Sequence, residues 1–370
     1  MLLPQHGQKE RNSMEQHCQL ITGEQLYKYQ LQNRIGGGGF GDVWLAHDHS
    51  IDRDIAVKVL DASTVSIDER LREAQIGNHL QHANLVKVHY ADIVTHKGIN
   101  LVIIAMDYYK NGSILGRINA GNFIPIPIVV KCLIDILRGL EYLHEQGIYH
   151  GDIKPQNILL GASDEGVLTD YGISCYAPSL QPVQPRSAYK LHIAPEILND
   201  NHINIQTDIY QVGLTAFRLI NGIGAIQDKF NKLGEQKYYQ LVQKGNVIQT
   251  TDYQPFVPRT LKAVINKAIH VDPSRRYQSA VEMRRALERL SYPGFWTLNA
   301  AGIFEGYNST CEFWFDENPR GGSLYDFTAL RKNKTTGRET RIHKFCLQRA
   351  NRKQTDELKG DFMQYVVLGG

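Results

Sequence analysis

Apolar and polar positions alternate along the first third of the chain, in short runs separated by turn residues. This period of two, together with brief continuous apolar runs, predicts strands. Between residues 67 and 80 the spacing changes to three and four residues, which predicts one helix among the strands. The expected strands cover residues 27–35, 42–47, 53–60, 85–93 and 100–106. The pattern therefore indicates a small, strand-rich lobe.

Helical spacing dominates the middle of the chain. Leu133, Leu137 and Leu140 recur at steps of three and four residues, a stripe that usually packs into a core. Beyond residue 292, aromatic and β-branched runs broken by Gly, Asn and Pro predict strands again. Helices are expected at 129–146, 208–221, 259–270 and 280–290, and the later strands at 311–315, 323–330 and 341–347. A mainly helical second lobe and a small strand-rich tail follow from this pattern.

Composition places the chain among ordinary globular proteins. Of its 370 residues 42% are hydrophobic and 21% are charged, and the length favours two or three folded units. Lysine and arginine exceed aspartate and glutamate by only three, so net charge does not indicate nucleic acid as a partner. The segment 332–338 concentrates positive charge. We interpret it as a solvated hairpin tip or, alternatively, as a tip that binds phosphate or nucleic acid.

The sequence contains no recognisable targeting or membrane signal. No apolar run reaches the roughly 20 residues that cross a bilayer, and the N-terminus lacks the apolar core of a signal peptide. The five cysteines lie far apart without a C-x-x-C pair, which argues against a zinc site or a disulfide framework. We therefore expect a reducing, cytoplasmic setting without membrane contact. Residues 1–24, rich in Gln, His, Lys and Glu, are expected to form a flexible extension.

The most informative stretch runs from His150 to Asn157 and reads His-Gly-Asp-Ile-Lys-Pro-Gln-Asn. Asp170-Tyr171-Gly172 begins thirteen residues after it. Transfer of a γ-phosphoryl group needs Mg²⁺ against the phosphates and a polar group that orients the attacking hydroxyl. Two carboxylates, an amide and a lysine at this spacing suit that task. A lone Asp or Asn, in contrast, more often closes a turn through its own backbone.

A glycine-rich segment, Ile35 to Val43, lies between two predicted strands and contains G-x-G-x-x-G. Glycines let backbone N–H groups approach phosphate oxygens closely. Taken alone, the spacing also fits a flexible hairpin or a dinucleotide-binding turn, but the latter opens a helix, whereas a strand follows here. Lys58 ends the next apolar strand and needs a partner if it points into a cleft. Glu73 on the predicted helix is the natural candidate.

Together these motifs resemble the protein kinase family. The family pattern H-R-D-x-K-x-x-N, followed by D-F-G, is matched with Gly151 for arginine and Tyr171 for phenylalanine. Ala194-Pro195-Glu196 matches the A-P-E element, and Asp208 and Arg276 match two buried anchors of the large lobe. The resemblance covers about residues 27–290.

The resemblance implies an α+β, two-lobed kinase-like fold. The expected kinase domain covers residues 25–290, with a strand-rich N-lobe at 25–107 and a mainly helical C-lobe at 108–290. Residues 291–370 are left as a small strand-rich accessory domain. Within the C-lobe, Arg276 is expected to pair with Glu196, and Asp208 to hold the backbone of the His150 loop.

A role for each site residue is also implied, with ATP and Mg²⁺ as cofactors. Asp152 orients the hydroxyl or accepts its proton, and Lys154 steadies the γ-phosphoryl group. Lys58, positioned by Glu73, binds the α- and β-phosphates. The expected metal ligands are Asn157 and Asp170. The residues expected around ATP are Ile35, Gly36, Gly37, Gly38, Gly39, Phe40, Gly41, Val43, Ala56, Lys58, Met106, Asp107, Tyr109 and Leu159.

Three departures from the family pattern bear on regulation. Gly151 cannot make the charge-assisted contact by which an arginine grips a phosphorylated activation segment. The Gly-Thr before the A-P-E element is replaced by Ala188-Tyr189, which removes a threonine expected beside the catalytic loop. Gly77 stands where a bulky apolar residue is usual, and a mid-helix glycine costs roughly 0.5–1 kcal/mol relative to Ala.

Three hypotheses about function result. The leading one is an ATP- and Mg²⁺-dependent kinase that phosphorylates serine or threonine in protein substrates, since Lys154-Pro155 resembles that class. The second is a catalytically weak, pseudokinase-like nucleotide-binding scaffold that acts through its surface and its C-terminal domain. A small-molecule kinase is the third, disfavoured because such enzymes generally lack the A-P-E element. A regulatory partner is expected at the C-terminal domain.

Overall fold

A computed structural model of the chain describes residues 20–38, 41–62 and 67–370. Gly39, Phe40 and most of the expected 1–24 extension lie outside the described residues. The first part of the chain forms a six-stranded antiparallel sheet in the order β1-β2-β3-β4-β6-β5. The strands are β1 Gln25–Leu26, β2 Tyr29–Gly38, β3 Gly41–Asp48, β4 Arg53–Asp61, β5 Val88–His96 and β6 Ile99–Met106. All five predicted strands are present, and β1 is an addition.

This sheet buries both of its faces. Because successive side chains of a strand point to opposite faces, Ala56 and Val57 of β4 enter different apolar clusters. Helix α1, Ile67–His79, covers one face and contributes Ala74 to its cluster. The predicted helix at 67–80 is confirmed. The sheet thereby holds β4 between two cores and fixes the direction of the lysine that this strand carries.

The second lobe is mainly helical, as expected. Its helices are α2 Ile126–Glu145, α3 Pro195–Asp200, α4 Ile205–Asn221, α5 Ala225–Leu233, α6 Glu235–Gln243, α7 Arg259–Ala268 and α8 Ala280–Glu288. Short strands form two antiparallel pairs, β7 Ile148–Tyr149 with β10 Cys175–Tyr176, and β8 Ile158–Leu160 with β9 Gly166–Leu168. Helices α3, α5 and α6 were not predicted, because helices of so few turns barely display an apolar period.

Helix α4 is the centre of this lobe, and all its residues from Thr207 to Asn221 are buried. Its start is fixed by a reciprocal cap: Asn204 Oδ1 accepts the Thr207 N–H at 3.0 Å, and Thr207 Oγ1 accepts the Asn204 N–H at 3.1 Å. Polar side chains inside the buried stretch need partners within the lobe. Asp208 and Gln211 find them in the loop that follows β7.

The last part of the chain folds into a five-stranded antiparallel sheet with a helix packed against it. The strands follow one another in chain order: β11 Phe295–Leu298, β12 Phe304–Tyr307, β13 Cys311–Arg320, β14 Leu324–Asn333 and β15 Glu339–Asn351. The expectation of strands is confirmed, but helix α9, Arg352–Val367, was missed. Its buried apolar residues crowd into its last turns, from Phe362 to Val367, so no helical period was visible. We call residues 295–367 the C-terminal module.

Aromatic rings join the C-terminal module to the helical lobe. Phe304 of β12 lies 6.4 Å, centroid to centroid, from both Phe123 and Phe256, which are themselves 5.0 Å apart. The Gln364 side chain of α9 donates to the Pro255 carbonyl at 3.1 Å. The module thus shares a buried cluster with the lobe. None of the helices in the described parts of the chain is long and apolar enough to span a bilayer.

Candidate active site

Three charged side chains meet between the lobes. Lys58 of β4 donates from Nζ to Glu73 Oε2 of α1 at 2.6 Å and to Asp170 Oδ1, beyond β9, at 2.9 Å. Lys58 is only 5% exposed and Glu73 only 7%. The structure therefore brings together the lysine and glutamate that the sequence paired. It also joins to them a carboxylate predicted to bind metal.

One lysine serves two carboxylates in this cluster. Burial opposes the charged lysine, but Asp170 and Glu73 outweigh it and raise the pKa of Lys58. Burial raises the pKa of Glu73, with Lys58 acting against this shift and the Asp170 charge adding to it. For Asp170, burial is outweighed by Lys58, which lowers the pKa of that carboxyl. With both carboxylates charged the cluster has surplus negative charge, which favours a divalent cation beside Asp170.

The loop after β7 places Asp152, Lys154 and Asn157 around one carboxylate. Asp152 Oδ2 accepts from Lys154 Nζ at 2.6 Å and from Asn157 Nδ2 at 3.0 Å. Asn157 Nδ2 also donates to the Asp152 carbonyl at 2.9 Å. Since its amide nitrogen makes both bonds, the amide oxygen of Asn157 is the atom left to bind a metal.

The second carboxylate oxygen of Asp152 has no such support. Oδ1 is buried and has no hydrogen-bond partner among the described residues. Burial raises the pKa of Asp152, although Lys154 opposes the shift. A buried acceptor without a donor costs about 1–3 kcal/mol, so a bound hydroxyl would relieve an unfavourable state. This oxygen is therefore an acceptor that a bound hydroxyl could satisfy.

Helix α4 holds the backbone of the loop. The two carboxylate oxygens of Asp208 accept the N–H groups of His150 and Gly151 at 3.0 and 2.8 Å. Gln211 accepts the Ile153 N–H at 2.9 Å and donates to the Gly151 carbonyl at 2.7 Å. The predicted role of Asp208 is confirmed, and Gln211 is an additional support that the sequence did not suggest.

The second predicted anchor is also present. Arg276 donates from Nη1 and Nη2 to the two carboxylate oxygens of Glu196, both at 2.8 Å. The two residues are 1% and 3% exposed, so the pair is fully buried. Such a bidentate pair fixes relative orientation as well as distance. It ties the start of α3 to the segment before α8, away from the site itself.

Gly151, which stands where the family pattern has arginine, has a positive backbone φ angle. Its φ is +76°, in the left-handed region that glycine enters without penalty. A Cβ there would meet nothing nearer than 3.7 Å, so space does not exclude a side chain. The backbone disfavours one, because a residue other than glycine costs roughly 1–2 kcal/mol in this conformation. Glycine thus suits the bend that presents two N–H groups to Asp208, although Asp170 shows that another residue can adopt a similar φ, +72°.

Tyr171 stands in place of the usual phenylalanine, and its hydroxyl group lies within hydrogen-bond distance of two backbone carbonyls. The ring is buried, and Oη lies 3.3 Å from both the Val86 and the Leu168 carbonyl oxygens. Gly77 of α1 lies beside the same ring: a Cβ at Gly77 would stand 3.4 Å from Tyr171 Cδ2 and 2.4 Å from Val88 Cγ2. The two departures therefore fit each other, since the glycine lets α1 lie close to β5 and to the tyrosine.

Two helical glycines should respond oppositely to the same substitution. Gly77→Ala introduces a methyl group 2.4 Å from Val88 Cγ2, and overpacking of this kind typically costs about 1–3 kcal/mol. Gly360→Ala in α9 meets nothing nearer than 3.8 Å, so it should gain about 0.5–1 kcal/mol from helix propensity. Urea unfolding of both variants measures the difference. Equal stability changes would contradict the close approach at Gly77.

His192 and Tyr189, which the sequence reasoning did not identify as contacts of the loop, both touch it. The Lys154 ammonium lies 4.8 Å from the centroid of the Tyr189 ring, which packs 5.4 Å from the His192 ring. Arg218 Nη1 donates to His192 Nε2 at 2.9 Å, and the other nitrogen, Nδ1, lies 2.8 Å from the Ile153 carbonyl oxygen. Because arginine only donates, Nδ1 must carry the hydrogen. A neutral histidine thus clamps the segment before α3 to the catalytic loop. In the sequence, the position of His192 just before the A-P-E element was the signal that could have indicated this contact.

The His192 clamp predicts a loss of stability in acid. Burial, and after it Arg218, lowers the pKa of His192 well below the usual value, so the folded protein leaves it neutral. Unfolded chains bind a proton at histidine below about pH 6.5. As pH falls through that value, the unfolding free energy should drop by up to about 1.4 kcal/mol per unit.

The clamp is tested by comparing urea unfolding at about pH 7.5 and about pH 5.5, on either side of the unfolded pKa. His192→Gln should remove its share of the pH dependence. His49→Gln, at an exposed position of the first lobe, is the control and should leave it unchanged. An unaltered pH dependence in the His192 variant would rule out this assignment.

Several of the residues expected around ATP lie together. Ala56 and Met106 belong to one buried cluster, and Val43, Tyr109 and Leu159 pack against it. The Ile35 side chain, in contrast, is 46% exposed. In the glycine-rich segment, Gly36 and Gly37 pair with Val43 and Asp42, and Gly38 pairs with Gly41 across the hairpin. Gly39 and Phe40, at its tip, lie outside the described residues.

The Asp107 side chain, in the connection between the lobes, makes polar contacts with two residues of the first lobe. Its carboxylate lies 2.5 Å from Arg53 Nη2 and 2.9 Å from His89 Nε2, and its N–H donates to the Lys87 carbonyl at 3.1 Å. Its carbonyl oxygen is the polar group left to contact a base. The Asp107 side chain therefore stabilises the connection between the lobes.

A strand-rich lobe with a buried Lys–Glu pair, above a helical lobe with an Asp–Lys–Asn loop, defines the protein kinase class of fold. The chain belongs to the protein kinase domain family, whose model matches residues 29–287. This confirms the expected α+β kinase fold. The C-terminal module lies beyond the match.

Similar proteins carry serine/threonine-protein kinase names. PknB of Mycobacterium leprae is 28% identical over 273 residues, which cover 71% of this chain and 43% of that protein. PrkC of Bacillus subtilis is 28% identical over 271 residues, or 71% of this chain and 41% of the relative. Aurora/IPL1-related protein kinase 2 of Caenorhabditis briggsae is 27% identical over 252 residues, 67% and 79% of the two chains. The chain spans less than half the length of the two bacterial relatives.

Proposed function

We propose that this chain is an ATP- and Mg²⁺-dependent protein kinase that transfers the γ-phosphoryl group to serine or threonine hydroxyls of protein substrates. The observation that carries the proposal is Asp152 Oδ1, which is buried without a hydrogen-bond partner in the described parts of the chain, beside the Lys58–Glu73–Asp170 cluster. The similarity to serine/threonine-protein kinases supports the choice of acceptor.

In this proposal each polar group has one task. Asp152 Oδ1 accepts the hydrogen of the acceptor hydroxyl and orients its oxygen, and the raised pKa of this carboxyl favours taking up the proton. Lys154, held 2.6 Å from Asp152, neutralises charge on the phosphoryl group. Lys58 is positioned by Glu73 to hold the α- and β-phosphates.

The donor set fits Mg²⁺. Among the described residues, no group of three or more His, Cys, Asp or Glu side chains is arranged to hold a metal. Magnesium is usually bound by one or two carboxylates together with substrate phosphates, and it does not need such a cage. Asp170, with the amide oxygen of Asn157, would hold the ion, which supplies charge neutralisation to the phosphates when bound.

We further propose that activity does not require a phosphate on the activation segment, residues 173–194. Neutral contacts hold its first part: Ser174 Oγ donates to the His150 carbonyl at 3.1 Å, and the Ala177 N–H donates to the Gly147 carbonyl at 2.6 Å. Val183 and Ile203 exchange two backbone hydrogen bonds at 3.1 and 2.8 Å. These contacts support a segment ordered without the arginine that Gly151 replaces.

The direct test is transfer of labelled phosphate from ATP to protein substrates, with and without Mg²⁺, followed by mass spectrometry of the product. Phosphoserine or phosphothreonine supports the proposal. ATP binding without transfer to any substrate would favour the scaffold hypothesis instead. The cytoplasmic setting and a regulatory partner at the C-terminal module stay predictions of the sequence.

A further inference from the structure

The hairpin formed by β14 and β15 concentrates positive charge. Residues 331–349 contain seven Lys or Arg and one Glu, a net charge of +6, whereas the entire chain carries +3. The remainder of the chain is therefore net negative. The seven cations are Arg331, Lys332, Lys334, Arg338, Arg341, Lys344 and Arg349. The small net charge of the chain conceals this strongly basic element.

These cations are largely unneutralised. Lys332, 3.7 Å from Glu339, is the one member of the set whose side chain forms an ion pair within 4 Å among the residues that the structure describes. Arg349 donates its backbone N–H to Asp326 at 3.0 Å, and the charges of the two side chains interact at longer range. Lys334 Nζ donates to the Asn308 carbonyl at 2.6 Å, and Lys344 Nζ lies 3.8 Å from the Tyr365 ring centroid. Carbonyl and ring contacts leave the charge in place. Arg338, Arg341, Lys344 and Arg349 are all exposed.

The same hairpin ends the sheet. β15 is the last strand in the order β11-β12-β13-β14-β15, and within the described chain β14 is the only strand that pairs with it. β15 covers 13 residues, but irregular pairing with β14 between Arg341 and Cys346 and between Leu347 and Ala350 divides its free edge into shorter stretches. These stretches offer unpaired N–H and C=O groups to another strand. Leu347 on this edge is 39% exposed, among the exposed large hydrophobic residues. The edge therefore combines backbone, apolar and cationic contacts.

Charge on an edge strand ordinarily prevents aggregation. That protection acts against a second copy of this chain, because two hairpins of net charge +6 repel one another. The same charges attract a strand of opposite sign. The hairpin cations therefore repel a second copy of this chain and attract a negatively charged strand. The sign of the partner's charge decides which of the two effects occurs.

We propose that β15 binds an acidic segment of a partner protein by strand addition, with carboxylates of that segment pairing with the exposed hairpin cations. Backbone hydrogen bonds give such complexes their affinity and side-chain contacts their specificity. Nucleic acid fits less well, because base stacking needs accessible aromatic faces. Phe345 and Tyr365, the rings beside the cations, pack on each other 5.1 Å apart, and Glu312 and Glu339 flank Lys332 in the strand register.

The test uses the full chain and fluorescence anisotropy with three labelled probes. The first is a peptide of about ten residues that alternates Glu and Val, long enough to extend along β15 from Arg341 towards Ala350 and to pair with its regular stretches. The second has proline at alternate positions, which removes strand hydrogen bonds but keeps the charge. The third is a single-stranded oligonucleotide of equal charge. The first should bind most tightly and lose affinity as salt rises, and the proline peptide should bind at least about tenfold more weakly.

Charge reversal locates the surface. Arg341→Glu should weaken binding of the acidic peptide about tenfold or more, since a favourable contact becomes a repulsive one. Lys237→Glu, an equal charge change at an exposed position of α6, should leave binding unchanged. The proposal is overturned if Arg341→Glu binds like wild type, if the proline peptide binds equally well, or if the oligonucleotide binds more tightly than the peptide. Binding needs no phosphoryl transfer, so its outcome is separate from that of the kinase assay.

Discussion

An Asp152→Asn variant is expected to transfer phosphate about 10²–10⁴-fold more slowly than wild type while binding ATP with nearly unchanged affinity. Asparagine keeps the shape of the side chain but cannot accept a proton at the position of Oδ1. In the proposed site Lys58, positioned by Glu73, holds the phosphates, and Lys58 hydrogen-bonds Glu73 and Asp170 without involving Asp152. Asn157, the other proposed metal ligand, keeps its hydrogen bond to the backbone carbonyl of residue 152. Loss of kcat without loss of ATP affinity is therefore the expected signature.

The measurement combines single-turnover phosphate transfer with a separate nucleotide-binding titration. Asp200→Asn, the same substitution at an exposed position at the end of α3, is the control and should be fully active. Unfolding by urea should show that the Asp152 variant remains folded. Transfer at the wild-type rate by this folded variant would exclude Asp152 as the residue that accepts the hydroxyl proton.

Removal of the C-terminal module, by ending the chain after residue 290, is expected to destabilise the helical lobe strongly. Phe123 and Phe256, each 1% exposed, would lose Phe304 and the rest of the module that covers them. Burial of one such side chain is worth about 1.5–3 kcal/mol, so partial exposure of both costs up to about 3–6 kcal/mol. Domains are typically stable by only about 5–15 kcal/mol, so much of the margin would be lost.

Thermal unfolding of the shortened chain, compared with the full chain, measures this effect. Phe304→Ala keeps the module and removes one contact, so it should lower Tm by a smaller amount. Leu368→Ala, at a residue 58% exposed beyond α9, should change little. If the shortened chain unfolds cooperatively at the Tm of the full chain, the module is an independent unit, as the sequence suggested, and contributes nothing to the lobe.

Local patterns of apolar residues predicted much of the fold, but they did not predict elements that are stabilised mainly by contacts with distant parts of the chain. The continuous apolar run in β4 is visible because both faces of the strand are buried, and the leucine stripe in α2 is visible because the helix buries a face along its own length. Helix α9 is polar over most of its length, and Phe362 becomes meaningful only where it meets Trp296, 5.6 Å away between ring centroids. The spacing of apolar residues within α9 does not reveal a contact with a residue outside the helix, so the helix was not predicted.

The candidate active site, like the fold, could be predicted from the sequence only in part. The motifs supplied the chemistry of Lys58, Asp152 and Asp170, because phosphoryl transfer needs those residue types in a set order. The clamp made by His192 joins residues of the activation segment, the catalytic loop and α4. Such a contact between distant parts of the chain leaves no trace in the spacing of any one of them.

The sequence by itself determined the class of fold, the order of the motifs and the chemical groups available for catalysis. It did so because apolar periods and fixed motif spacings are local properties. Only the tertiary structure decided that Gly151 adopts a left-handed backbone, that Gly77 and Tyr171 fit each other, and that seven cations gather on the β14–β15 hairpin at the edge of a sheet. These are consequences of packing and register, and they depend on which residues come together in space.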